Sequence, residues 1–385
     1  MTRSTFTSAD AAELAAVVRS GFAESRHIGS AVVLDPDGSP LISLGAPEVP
    51  VFTRSSLKPL QAIAAMSLGA QISGVSAALA TASHKCESGH AEVVAGMLDT
   101  AGLSVDDLQC PSAHPADAAF RRSLQERAAK SGDADTDPKS PLYFNCSGKH
   151  TAFLMAALAV GAETESYLDP AHPVQTKVAE VVEAFSGETP AAVGTDGCGA
   201  PVFALSLVGL ARGIGRVVRQ GSMGADPGAA DSAGTADSAS HAASAIASAT
   251  DYRSYASAAR TLMDGVFADP WAIEGHGRPN SSVIDRLGVF AKGGAEGVIV
   301  MATKTGYSVA LKCLDGSSRA TGLVALTLLR KAGALPNVTD DHLGEVTTAI
   351  TDPVTGGTDS EGRTAVVGRV VVGEDVADIR QREQS

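Results

Sequence analysis

The chain is short of cysteine, aromatic residues, basic charge and long apolar runs. Its five cysteines (Cys86, Cys110, Cys146, Cys198 and Cys313) are odd in number and irregularly spaced across 385 residues. That excludes a dense disulfide framework and fits a reducing compartment. Aromatic residues are 4% of the chain, with one Trp. Basic residues number 30 against 43 acidic ones, for a net charge of −13. A chain so acidic repels phosphate backbones, so nucleic acid is not an expected partner. The longest apolar runs, such as Ala152 to Val160, fall far short of the ~20 residues of a membrane span. Met1 to Ala16 has no apolar stretch behind positive charge, so no signal peptide is read and a cytoplasmic location is expected. What is present is 44% hydrophobic residues and 40 glycines, a globular composition with glycine above the usual ~7%. The length allows two or three domains or one large interleaved unit, with a sizeable core.

Strand-like segments lie at the two ends. Gly29 to Asp35 and Ser39 to Leu44 flank the turn Pro36-Asp37-Gly38, where proline presets φ and glycine supplies positive φ. Gly297 to Thr303, Tyr307 to Lys312 and Thr364 to Val372 read as further strands. Helical periodicity marks Ser55–Leu68, Gly89–Thr100, Ala116–Ala129, Lys149–Val160, Pro173–Phe185, Pro201–Val218 and Thr321–Ala332. The expected fold class is α/β (α+β). One antiparallel sheet is built from N- and C-terminal strands, with a mostly helical region inserted. Residues 1–54 with 287–385 carry the sheet, and 55–286 are mostly helical, in a single interleaved catalytic unit. Residues 221–250 are Ala, Ser, Gly and Asp with almost no large apolar side chain, which reads as a flexible low-complexity insertion.

Three short motifs bear on chemistry. Ser55-Ser56-Leu57-Lys58 is an S-x-x-K at a helix start, where residues i and i+3 share a face. A serine hydroxyl is a weak nucleophile until a base takes its proton. A lysine serves as that base when burial or a second cation lowers its pKa. Ser83-His84 and Lys292-Gly293-Gly294 follow in order. Together the three reproduce the plan of serine acyl-transferases of the β-lactamase and penicillin-binding type.

More extended runs carry a resemblance. They are Glu24-Ser25-Arg26-His27 with Gly29, Phe52 to Ala62, Ala82-Ser83-His84 with Glu87 and His90, Asn145 to His150, Thr195 to Gly199, and Lys292 with Gly294 to Gly297. In this order they resemble the asparaginase II family, the rhizobial-type or class 3 asparaginases, from about residue 14 to 372. The resemblance implies a serine β-lactamase-like and glutaminase-like fold. It also implies hydrolysis of the side-chain amide of L-asparagine to aspartate and ammonia. Two Ser–Lys pairs are implied, Ser55 with Lys58 and Ser83 with Lys292. Ser55 is read as the nucleophile, Lys58 as its base, and Ser83 with Lys292 as the relay to the leaving ammonia. Backbone N–H groups at the start of the Ser55 helix are expected to form the oxyanion hole.

The resemblance further implies a zinc ion on Cys146, Lys149 and Cys198, and a homodimer. Lysine is an unusual zinc ligand, because it must be neutral to donate its lone pair. From the residues alone, the cysteines read equally as small buried side chains in Gly-rich turns. Arg54 suits a substrate α-carboxylate, and Asp196 a substrate amino group or a metal-bound water. His84 and Asn145 are candidate pocket residues, His150 supports the metal ligands from outside, and Glu87 with His90 gives structural support. Two departures stand out. Cys86 replaces a family glycine, and Gly277-Arg278-Pro279-Asn280 ends in Asn where the family has Asp. A serine-type glutaminase, another small-molecule amidase, and a non-catalytic zinc or amino-acid binder stay open as alternatives.

Overall fold

The computed structural model describes residues 4–131, 139–223 and 251–382. Eleven strands are present among them: β1 (Ala12–Arg19), β2 (Phe22–Leu34), β3 (Pro40–Leu44), β4 (Val51–Phe52), β5 (Ala192–Thr195), β6 (Pro201–Leu205), β7 (Phe290–Gly294), β8 (Val298–Ala302), β9 (Ser308–Cys313), β10 (Val354–Thr358) and β11 (Thr364–Val372). The main sheet runs β10-β11-β1-β2-β9-β8-β7, with β3 also on β2. Every pairing in it is antiparallel. Its strands come from the two ends of the chain, and a helical region lies between them in sequence. This is the serine β-lactamase-like arrangement.

Local chemistry explains the main departures from the sequence reading. The β1–β2 hairpin turns on Ser20-Gly21, both at positive φ (48° and 84°), the geometry that two-residue hairpin loops favour. β1 itself escapes a period-two search, because Leu14 to Val17 are all buried. The expected helix Pro201–Val218 divides in two. Pro201–Leu205 is β6, which pairs with β4 and β5 in a second, three-stranded sheet. The helix Leu207–Ser222 begins only after Ser206, whose side chain accepts from the Gly209 N–H as an N-cap. The middle of the chain is therefore not purely helical. Of the low-complexity stretch, Gly221 and Ser222 end that helix, and positions 224–250 lie outside the described residues.

Two helices pack on β8 and β9, Leu207–Ser222 and Thr321–Lys331. Every residue of both strands is buried, so both faces of the sheet are covered. At the centre, the helix Ser147–Ala159 is buried from Ser147 to Ala157. Gly148 lets it approach its neighbour, since a Cβ there would meet the Leu79 carbonyl oxygen at 2.6 Å. Among the described residues no helix is long and apolar enough to cross a membrane.

Candidate active site

The site forms where the second sheet, the central helix and the edge strand β7 converge. Thr53, just past β4, is pinned to β6, because its N–H and its hydroxyl both donate to the Phe203 carbonyl (3.1 and 3.0 Å). Arg54 then adopts φ 50°, a left-handed conformation that strains a non-glycine residue by roughly 1–2 kcal/mol. The expected helix from Ser55 is a tight 3₁₀ turn, Arg54–Leu57, followed by an α-helix, Lys58–Ser67. Gly294 of β7 packs on this turn, and a Cβ there would lie 3.0 Å from the Thr53 carbonyl oxygen and 3.3 Å from the Ser55 nitrogen.

Two lysines meet on one serine. Lys58 (1% exposed) donates to the Ala82 carbonyl and, at 3.1 Å, to Ser83 Oγ. Lys292 (0% exposed) donates to Ser83 Oγ and to the Gly293 carbonyl, each at 2.8 Å. Among the described residues the Ser55 hydroxyl makes no hydrogen bond, and Ser55 is half-buried. Burial pushes the Lys58 amine down to about 8. The Lys149 charge acts in the same direction, against the pull of Cys146, Cys198 and Asp196. Burial, then the Lys58 charge, holds Lys292 well below the ordinary lysine range. Two ammonium groups in one dry pocket disfavour each other, which is the condition for a neutral amine near pH 7.

Ser83 is fixed by its backbone, which donates to the Ile273 carbonyl (2.9 Å), and Lys85 donates likewise to the Glu274 carbonyl (2.9 Å). His84 is 1% exposed, stacks on His90 at 4.9 Å and lies 3.0 Å from Ser147 Oγ. Burial first, then His90 and Lys58, hold it neutral. Asn145 is exposed, and its carbonyl accepts from the His84 N–H at 3.1 Å. Glu87 caps the helix Ser88–Thr100, and its N–H donates to His90 Nδ1 at 3.0 Å, as structural support requires.

Arg54 Nε donates to Asp196 Oδ1 at 2.8 Å. Arg54, expected on a substrate α-carboxylate, and Asp196, expected on a substrate amino group or a metal-bound water, are thus paired with each other. Beyond Asp196, Cys146 and Cys198 converge with a third group that sequence reading had set outside the ligand set. That group is His150, and the three candidate ligand atoms lie within 4.8 Å of one another. His150 stands four residues after Cys146, the spacing that aligns two side chains along a helix. Its Nδ1 lies 2.7 Å from Tyr167 Oη, while its buried Nε2 has no hydrogen-bond partner. Burial keeps this imidazole neutral, pushed down to about 4.

Lys149 donates to Cys198 Sγ at 3.3 Å. The Cys198 thiol is driven far down by hydrogen bonding from Cys146, with Lys149 and His150 adding to it against burial. Cys146 is pushed well up by burial and by its bond to Cys198. Burial would lower Lys149, but the two sulfurs and Asp196 outweigh it and keep the amine charged. A thiolate, a second thiol and a neutral imidazole with an orphaned nitrogen, all buried, are a donor set that suits zinc.

Cys86, the first departure, is fully buried at φ 56°, in the region that favours glycine. Glycine there relieves roughly 1–2 kcal/mol of strain. It gives back about 1 kcal/mol in unfolded-chain entropy and loses the packing of a buried thiol. Cys86→Gly is therefore expected to change unfolding free energy by less than about 1 kcal/mol. Cys86→Val, whose β-branch suits positive φ poorly, is expected to cost about 2 kcal/mol or more. Chemical denaturation of the two variants checks the contrast, and equal losses would contradict it.

The chain matches the L-asparaginase II family profile over residues 15–366. Among curated proteins, none matches the chain. With almost its whole length aligned to that one profile, the chain belongs to the L-asparaginase II family and is a hydrolase acting on asparagine-like substrates.

Proposed function

We propose that the protein is an L-asparagine amidohydrolase that releases aspartate and ammonia through an acyl-enzyme on Ser55. The observation that carries this reading is the chain Lys58–Ser83–Lys292, in which two buried amines hold one hydroxyl, with Ser55 three residues before Lys58 in the adjoining turn. Ser83 Oγ is engaged by two nitrogens and is suited to passing a proton. Ser55 Oγ keeps its lone pairs for attack.

Neutral Lys58 takes the Ser55 proton as the Oγ–C bond forms. The carbonyl oxygen collects negative charge beside the N–H groups that open the Arg54–Leu57 turn, the Ser56 N–H being already given to the Thr53 carbonyl at 3.2 Å. As the C–N bond breaks, the proton passes from Lys58 through Ser83, with Lys292 on its far side, to the departing nitrogen, and ammonia leaves. Water then cleaves the ester, with Lys58 again as base, which gives aspartate and restores Ser55. Arg54 and Asp196 present opposite charges side by side, matching the α-carboxylate and α-ammonium of a free amino acid. Zinc would be held by Cys146 and Cys198 with Lys149, as the family resemblance has it, or with His150, whose ring converges on the two sulfurs. It would supply polarisation and positioning of the substrate.

Ammonia release from asparagine, glutamine and a chromogenic β-lactam tests the reading across pH. Ammonia from asparagine is expected, with kcat/KM rising as pH approaches 8 and levelling above it. The sign follows from the base being the neutral amine, which forms as pH climbs through the Lys58 pKa of about 8. Absence of ammonia from asparagine overturns the function. A profile flat from pH 6 to 9 overturns Lys58 as base.

A further inference from the structure

Lys292 reaches Ser83 from an edge. Among the described residues β7 ends the main sheet and is paired only with β8. In an antiparallel strand the N–H and C=O of one residue point to the same side. Both groups of Gly293 are used on the free side. Its N–H donates to Asn280 Oδ1 at 3.1 Å, and its carbonyl accepts from Lys292 Nζ at 2.8 Å. Asn280 is oriented in turn by Glu274, whose Oε2 accepts from the Asn280 backbone N–H at 3.0 Å and from Nδ2 at 2.8 Å. A carboxylate accepts only and a backbone N–H donates only, so a side chain between them must donate on one side and accept on the other. Of Asn and Asp, only the carboxamide does both while Glu274 is ionised.

The same short helix, Trp271–Glu274, also holds the other partner. The Ile273 carbonyl takes the Ser83 N–H at 2.9 Å. Both ends of the Ser83–Lys292 contact therefore hang on one four-residue element, Ser83 through Ile273 and Lys292 through Glu274, Asn280 and Gly293. Lysine has four rotatable bonds and loses about 2 kcal/mol of rotamer entropy when fixed, so its aim depends on such a frame.

We propose that Asn280, oriented by Glu274, is a positioning residue for Lys292, setting the backbone from which its amine meets Ser83. The proposal rests on the reading of Ser83 and Lys292 as the proton relay. Asn280→Asp keeps the acceptor for Gly293 but sets a carboxylate against Glu274. Asn280→Asp with Glu274→Gln reverses the side-chain pair: the Gln NH₂ donates to the new carboxylate, and the Gln carbonyl oxygen takes the residue-280 N–H that Glu274 accepts in the wild type.

Steady-state kinetics on asparagine test this, with thermal melts and the fluorescence of the single Trp271 as controls for local structure. Asn280→Asp is expected to lower kcat about 10- to 100-fold with KM within about threefold, and the reversed pair to regain most of that loss. An unchanged kcat in Asn280→Asp overturns the proposal. So does a reversed pair that folds like the wild type yet stays as slow as the single variant. The Ser83→Ala background separates the two layers. Asn280→Asp is expected to add little to the loss there, and an undiminished further loss overturns the route through Lys292. If Ser83→Ala alone leaves kcat unchanged, the relay reading is what fails, and the proposal falls with it.

Discussion

Ser55→Ala is expected to lower kcat on asparagine by at least about 10⁴-fold and to abolish a covalent adduct in intact-mass spectra. Ser83→Ala is expected to lower it by about 10²–10³-fold and to leave the adduct in place. The difference follows from what each hydroxyl does. Removing Ser55 Oγ removes the atom that bonds to carbon, and no neighbour takes over, because Ser56 spends its own hydroxyl on the Thr53 carbonyl at 2.6 Å. Removing Ser83 Oγ takes away only the bridge between the two amines. Lys58 keeps the Ala82 carbonyl and Lys292 keeps the Gly293 carbonyl, so both stay in place with a gap between them. A water in that gap restores part of the relay. An adduct that survives Ser55→Ala and maps to Ser83 would move the nucleophile to Ser83. The direct contact of both lysines with Ser83 is the observation that would then explain it.

What the sequence made legible follows the range of each interaction. Ser55 and Lys58 are three residues apart, so local spacing alone suggests the pair, while the hydrogen bonds of Lys58 go to Ala82 and Ser83. Ser83 and Lys292 are 209 residues apart, and only the ordered resemblance brought them together. The pairing of Arg54 with Asp196, 142 residues apart, was not visible. Neither carries a local sign of the other. His150 is signalled by its spacing from Cys146, and Lys149, which the resemblance implies as a ligand, lies against the same cluster through Cys198. Asn280 was visible only as a departure from the family Asp. Its meaning depends on Glu274 and Gly293, which no periodicity connects to it. The fold shows the same division. The sequence marks β3, β8, β9, β11 and the second half of β2, but not the edge strands β4, β5, β7 and β10. β1 was missed because burial on all of Leu14 to Val17 erases alternation, and β6 because five apolar residues before a helix look like more helix.

The second large effect is expected at Cys198, where the candidate metal cluster and a buried ion pair share one sulfur. Cys198→Ala is expected to reduce zinc in the purified protein from near one per chain to a small fraction. It is also expected to destabilise the metal-free chain by about 3–5 kcal/mol, the usual loss when one partner of a buried charge pair is removed. Lys149 is 2% exposed and donates to this sulfur, so without it a buried ammonium loses its main counter-charge. The pH dependence gives the sign check. The folded pKa of Lys149 is raised above its ordinary value, so its contribution is complete below the unfolded lysine pKa and fades as pH rises through the folded one. That of Cys198 is depressed, so its contribution is present above the unfolded thiol pKa and is lost as pH falls through the folded one. The penalty in Cys198→Ala should therefore shrink once pH passes the unfolded thiol pKa, where the Cys198 contribution no longer grows and the variant's Lys149 still gains by sitting neutral. Chelation separates the two effects. Wild-type protein should lose melting temperature in chelator, Cys198→Ala should be indifferent to it, and stripped wild type should still melt above the variant. Equal melting of stripped wild type and variant would show that the ion pair contributes nothing. Undiminished zinc in Cys198→Ala would remove Cys198 from the metal site.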